Sequence, residues 1–208
     1  MTAAAGRAAT GAGGEAAGNW RVLPAAEAGA DAVAAVFGAR GPAATCHCQR
    51  YKLAPRESFA ALGREELTFR LQLQAADPPG PGLVGFEDDQ PVAWCAVESR
   101  ADYAGLLRAF KVPWEGRDEN RADRGVWAVT CFTTRSGHRR RGYGSRLAVA
   151  AVEHARLHGA RAIEGYPILT TAVITEELHV GTLGMFTRAG FTEVHRPTPR
   201  RAVVRLEL

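Results

Sequence analysis

Lysine is nearly missing from this chain. Lys52 and Lys111 stand beside 24 arginines in 208 residues. Together with abundant alanine and glycine, that imbalance reads as codon bias, so the net charge of +4 is poor evidence for a nucleic-acid partner. No apolar run approaches the roughly 20 residues of a membrane span, which argues against a bilayer-embedded chain. Four cysteines in a chain this long do not make a disulfide framework. Cys46-His47-Cys48 lacks the second ligand pair that a zinc site needs, so no metal is expected. Cys95 and Cys131 sit in apolar runs and read as small buried thiols. Residues 2–18 are Ala and Gly apart from Thr2, Arg7, Thr10 and Glu15. They lack the apolar centre of an export signal, so a disordered tail and a cytoplasmic protein are expected. The remainder, 19–208, suits one ordinary domain.

What the chain does have is concentrated between Gly125 and Arg146. An apolar run (Val126, Trp127, Ala128, Val129, Cys131, Phe132) meets polar residues and then a basic loop, Arg139-Arg140-Arg141-Gly142-Tyr143-Gly144. A helical pattern follows, with Leu147, Ala148, Ala151, Val152 and Ala155 on one face. Strand, glycine loop and helix start together form an anion site, because unpaired amides and the helix dipole both favour negative charge. Five arginines and no acid lie between Arg135 and Arg146. The expected ligand is a phosphate.

Three phosphate loops compete. A Walker A loop needs a lysine after its glycines, and none is present. A dinucleotide fingerprint needs a third glycine that Gly142 and Gly144 lack, although Glu164 lies at the distance of its acid. The third pattern, Arg139-x-x-Gly142-x-Gly144, resembles the pyrophosphate loop of the GNAT superfamily of N-acyltransferases, Gln/Arg-x-x-Gly-x-Gly/Ala. Gly184-Met185-Phe186-Thr187-Arg188-Ala189-Gly190-Phe191 is similar to the family's second signature, a short helix ending in Gly-Phe. Between them, 161–168 stands where the family has its fifth strand. The resemblance covers about 83–194 and implies a single α/β domain, its mixed, mostly antiparallel sheet flanked by helices.

Periodicity and turn residues supply an order of elements compatible with that fold. Trp20 to Leu23 reads as a strand, Ala25 to Arg40 as a helix, and Glu57 to Ala76 as a helix that Gly63 can split. Leu83 to Glu87 and Pro91 to Val97 form a hairpin pattern across Asp88-Asp89-Gln90. A short helix over 101–111 and a charged loop over 115–124 come next. Strand 126–133, helix 144–158, strand 161–168, helix 181–189 and strands 191–195 and 201–207 complete the series.

The resemblance further implies acetyl-CoA, or another acyl-CoA, as donor. Carried over, Arg139, Arg141, Gly142, Gly144 and Ser145 hold the pyrophosphate, while Cys131, Phe132 and Thr133 supply backbone contacts to pantetheine. Arg140 and Tyr143 stand where the family often has Gly and Ile or Val, which is tolerable if both side chains point outward. Many members use a tyrosine to protonate the leaving thiolate where this chain has Phe186, and Phe has no proton to give. A thiol of pKa about 8.5 leaves tolerably as thiolate, so turnover does not require that acid. Glu164 and Tyr166, on one face of a strand by alternation, and His179 before the second signature are the candidate catalytic groups. An oxyanion donor is expected near Val129 to Cys131. Cys46, His47, Arg50, Tyr51 and Trp114 are candidates for acceptor binding.

The leading expectation is N-acetyl transfer to a small-molecule amine by direct attack in a ternary complex, with a homodimer possible. A carrier-protein or aminoacyl-tRNA donor, a protein acceptor, and a non-catalytic acyl-CoA-binding module are the alternatives. Direct nucleic-acid binding is disfavoured, since no helix-turn-helix, zinc ligand set or RNA-binding signature occurs.

Overall fold

A computed structural model describes residues 19–170 and 172–208. The expected disordered tail, 1–18, lies outside the described residues. Seven strands form one sheet in the order β1-β2-β3-β4-β5-β7-β6. They are β1 (Trp20–Pro24), β2 (Gly82–Glu87), β3 (Gln90–Ser99), β4 (Val126–Thr134), β5 (Ala162–Gly165), β6 (Thr192–Thr198) and β7 (Arg201–Glu207). Every pairing is antiparallel except β4 with β5. That parallel pair needs a crossover, which α6 (Tyr143–Leu157) provides.

The sheet is buried on both faces because β3 alternates between two cores. Cys95 and Val97 join Leu147, Ala151 and Ala155 of α6 and Phe186 of α7 (Leu183–Arg188) on one side. Trp94 and Ala96 face α1 (Ala25–Ala28), α2 (Ala30–Phe37) and α4 (Phe59–Ala76) on the other. The buried positions Leu67, Leu71 and Ala75 recur every four residues along α4, the spacing of one helix face. Ser58 caps that helix by accepting from the Ala61 amide at 3.1 Å.

Several expected elements are shorter or divided. The helix expected over 25–40 breaks at Gly29 (φ 84°, ψ 158°) into α1 and α2. Gly63 (φ 71°, ψ 168°) kinks α4, the split its sequence allows. Residues 46–53 carry the end of α3 (Pro42–Cys46) and a 3-10 turn over Gln49–Tyr51. The helix expected over 101–111 is a 3-10 turn followed by α5 (Ala104–Ala109). The hairpin forms as expected, turning on Asp88 at φ 54°. Gly190 takes the left-handed conformation after α7, at φ 91°.

Two irregularities shape the centre of the sheet. Ala96 pairs with Cys131 and Val97 with Val129, so Thr130 is an extra residue that bulges β4. On the opposite edge of β4, pairing with β5 runs only from Val126 to Val129. β5 ends at Gly165, just before the buried Tyr166 and Pro167. Beyond Val129 the two strands part. Phe186 is fully buried beside them: its ring lies edge-on to Phe132, with centroids 5.8 Å apart. A Cβ on Gly165 would stand 2.3 Å from its Cε1 atom.

That contact sets an expected outcome. Gly165→Ala forces Phe186 to move and should cost about 1–3 kcal/mol, the range for overpacking a tight core. Urea denaturation of variant and wild type measures the difference.

Candidate active site

The basic loop behaves as its glycines require. Gly142 is the left-handed N-cap of α6 (φ 81°, ψ 5°), with open space where a Cβ would sit. The amides of Tyr143 and Gly144 open the helix and have no carbonyl one turn back to bond. Arg140 also takes a left-handed conformation, φ 64°, with its side chain exposed. The loop therefore bends where a glycine would be easiest, and Arg140 points outward as expected. Tyr143 does not. It is buried and stacks on Trp20 with ring centroids 4.9 Å apart, so it anchors the loop to β1. Gly144 has a packing reason, since a Cβ there would meet Met185 Cε at 2.5 Å.

The polar residues of the loop are mutually held. Arg141 donates to Glu87 Oε2 at 3.1 Å, and His138 Nδ1 lies 3.4 Å from the same oxygen. The neighbouring Tyr143 hydroxyl, the Arg141 charge and the adjacent His138 ring together keep the Glu87 carboxyl below the usual range. Ser145 Oγ accepts from Arg188 at 3.0 Å. Arg139 is exposed.

A cleft of ≈ 960 Å³ starts at this loop. It runs past Cys131–Thr134 on the bulged half of β4, past Cys46 and Cys48, and reaches Arg50 and His179. The β4 edge bordering it is the one that β5 abandons after Val129. A second cavity, ≈ 620 Å³, continues from Arg50 and His179 to Tyr51, Phe110, Ile168 and the β6–β7 turn. Arg50 and His179 belong to both.

His179 sits in the 3-10 turn Thr175–Val180. Its Nδ1 is 2.7 Å from the Glu176 carbonyl oxygen. A carbonyl can only accept, so Nδ1 carries the proton and Nε2 bears the lone pair. Nε2 is buried with no hydrogen-bond partner. Burial first, then the Arg50 and Arg201 charges, holds the imidazole pKa below its ordinary value, against the Glu176 bond and the Glu177 charge. His179 is therefore neutral at pH 7.

Four sequence expectations need correction. Glu164 is wholly buried and ion-paired, not lodged in the cleft. It accepts from Arg100 (2.9 Å), Arg117, Arg205 (3.0 Å) and the Tyr166 hydroxyl (3.0 Å). Burial would raise its pKa, but hydrogen bonds and charges from Arg117 and Arg100 outweigh it and hold the carboxyl below the ordinary range. A carboxylate so held makes a poor base. Tyr166 shares its face, as alternation requires, and spends its proton on Glu164; burial pushes the phenol well above its usual pKa. His47 is buried, stacks on Phe37 and has Nε2 3.1 Å from Thr68 Oγ1. Trp114 is buried too: its Nε1–H donates to the Leu106 carbonyl at 3.0 Å, between the Arg100 and Arg121 guanidiniums. Neither residue lines either cavity. Cys46, Arg50 and Tyr51 do. Phe110, Glu177, Arg200 and Arg201 line the second cavity unforeseen; the Arg200-Arg201 doublet was the available signal.

A splayed sheet with a glycine loop capping its crossover helix defines an acyl-CoA transferase architecture, and the comparisons agree. Residues 49–191 match the model of the Acetyltransferase (GNAT) family. The chain belongs to that family; it is an acyltransferase, with acetyl-CoA or another acyl-CoA as the donor. No curated protein matches its sequence. Among solved structures it is similar to the PaiA N-acetyltransferase of Thermoplasma acidophilum in complex with coenzyme A, with 10% identity, a TM-score of 0.52, and 91% of this chain and 99% of that one covered. A mutant of agmatine N-acetyltransferase in its apo form is similar at 12% identity, with a TM-score of 0.51 and coverage of 91% and 99%. At such identities the likeness speaks for the fold alone. Among the described residues, no helix is long and apolar enough to cross a membrane.

Glu164→Gln is the test of the buried cluster. It leaves Arg100 without its closest counter-charge and should cost about 3–5 kcal/mol in denaturant unfolding. Because the folded pKa of Glu164 lies below the unfolded one, its stabilisation is full above the ordinary carboxylate range. It is lost as pH falls through the folded value, so wild type and variant should converge in acid.

Proposed function

We propose that this chain is an N-acetyltransferase that moves the acetyl group of acetyl-CoA to the amine of a small-molecule acceptor by direct attack. The observation that carries the reading is the meeting of two cavities at a neutral histidine with a bare Nε2. The larger cleft suits the donor. Loop amides of Gly142, Tyr143 and Gly144, with Arg139, Arg141 and Ser145, receive the pyrophosphate, and the open edge at Cys131, Phe132 and Thr133 pairs with the pantetheine arm. The smaller cavity suits the acceptor.

An alkyl ammonium is not a nucleophile near neutral pH; besides the proton lost as the adduct collapses to the amide, which the thiolate or solvent takes, one proton must leave before the N–C bond can form. His179 is placed to take it. Nδ1–H is fixed on Glu176, which aims the lone pair of Nε2 and steadies the imidazolium as it forms. The Arg50 and Arg201 charges oppose that imidazolium and Glu177 favours it, which keeps the base form present at pH 7. As β4 bulges at Thr130, a main-chain amide at 129–131 is the proposed donor to the developing oxyanion. Phe186, walled into the core, has no part in protonating the thiolate, which departs as the anion or takes a proton from solvent.

Two substitutions test the two halves. Gly142→Glu places a carboxylate in the space beside the loop and should weaken acetyl-CoA binding more than about tenfold by calorimetry, with roughly 1–2 kcal/mol lost to the left-handed backbone. Unchanged binding would remove the loop from the donor site. His179→Gln should lower kcat by about 10²–10⁴ and leave the acetyl-CoA Kd unchanged. In the wild type kcat/KM should rise along an acid limb below the ordinary imidazole pKa and no longer depend on His179 by pH 7. That limb should vanish in the variant, and its survival would exclude His179 as the base.

A further inference from the structure

The second cavity has an unbalanced charge, and the imbalance names an acceptor class. Its walls are apolar where Tyr51, Phe110, Ile168 and Pro199 meet; Tyr51 and Phe110 have ring centroids 4.5 Å apart. Four charged residues line it: Arg50, Arg200, Arg201 and Glu177. Glu177 lies 3.7 Å from Arg200 and offsets it. Arg50 and Arg201 have no carboxylate partner among the described residues. Arg50 is exposed, its guanidinium 5.7 Å from the Phe59 ring. Arg201 spends one nitrogen on the Tyr166 carbonyl at 2.8 Å, and its Nε is buried with no hydrogen-bond partner.

The contrast with Glu164 is informative. There, four donors converge on a resident carboxylate. Here, the Arg50 and Arg201 charges both bear on His179, and no carboxylate among the described residues pairs with either. Cations left facing a mainly apolar chamber are stabilised by a ligand that brings the opposite charge. A dication entering the same chamber would add repulsion to repulsion.

Resting on the acetyl-transfer reading, we propose that the acceptor is an amino acid with an apolar side chain. Its carboxylate is bound by Arg50 and Arg201, its side chain lies against Tyr51, Phe110 and Ile168, and its amine is presented to His179. Burial pushes the Tyr51 phenol up to about 12, against the pull of the neighbouring Arg201. Its hydroxyl therefore stays a donor at pH 7, suited to the same carboxylate. The bond changes are those of acetyl transfer: N–C forms, C–S breaks, the first ammonium proton goes to Nε2, and the second goes to the departing thiolate or to solvent.

The test separates binding from turnover. L-Leucine and L-phenylalanine, each paired with its carboxamide, and agmatine as a dication are titrated calorimetrically into the protein saturated with CoA. At least one carboxylate should bind roughly tenfold tighter than its carboxamide. Arg50→Gln should bring that ratio close to one, and Arg50→Lys should restore part of it. Equal binding of both members of each pair, tighter binding of agmatine, or an undiminished ratio in Arg50→Gln would overturn the proposal. CoA release is then followed with the same amines and acetyl-CoA. Carboxylate preference without release would support the anion pocket and defeat acetyl transfer. Release with carboxamides or agmatine but not with carboxylates would defeat the anion pocket and leave acetyl transfer standing.

Discussion

The parting of β4 from β5 is the constraint on which the rest depends. Two parallel strands that stayed paired would leave no room for a ligand in the middle of a sheet. Here the ladder stops at Val129 and Gly165, and a phenylalanine from α7 packs against Gly165. Phe186 packs on Gly165 of one strand and edge-on to Phe132 of the other, so one close-packed side chain contacts both strand ends. The proposed site lies around that opening: the loop on α6 at one end, the free edge of β4 beside it, and His179 where the second cavity begins.

The buried ion cluster anchors the same region from below. Glu164 is the β5 residue next to Gly165, and its arginines come from the 3-10 turn after β3, the 115–124 loop and β7. One carboxylate thereby ties β5 to three segments distant in sequence. Charge burial is costly, and the cost is offset only because every partner converges. A role in holding the strand end explains the position of Glu164 more simply than chemistry does. It also explains why Tyr166, two residues on, is drawn into the same cluster.

Local patterns were legible in the sequence; convergences were not. Gly142 and Gly144, the apolar stripe from Leu147 to Ala155 and the Gly190-Phe191 ending each announce themselves within a few residues, and the structure places them accordingly. Alternation correctly put Glu164 and Tyr166 on one face, but it carries no word of what that face meets. The answer lay in Arg100, Arg117 and Arg205, which no spacing rule connects. Trp114 and His47 went astray similarly: an aromatic or imidazole in a loop looks like a ligand contact until its neighbours are known. Arg201 was passed over for the opposite reason, since one more arginine in an arginine-rich chain carries little signal.

The tether between Glu87 and the phosphate loop has a consequence for discrimination. A carboxylate belonging to β2 already neutralises part of the loop's charge through Arg141. A single free inorganic phosphate has to compete with an anion covalently fixed nearby, at a high effective concentration. A nucleotide thioester competes on better terms, because two linked phosphates and a long arm engage several places at once. On the acyl-CoA reading, the loop thereby favours the larger molecule over a lone small anion.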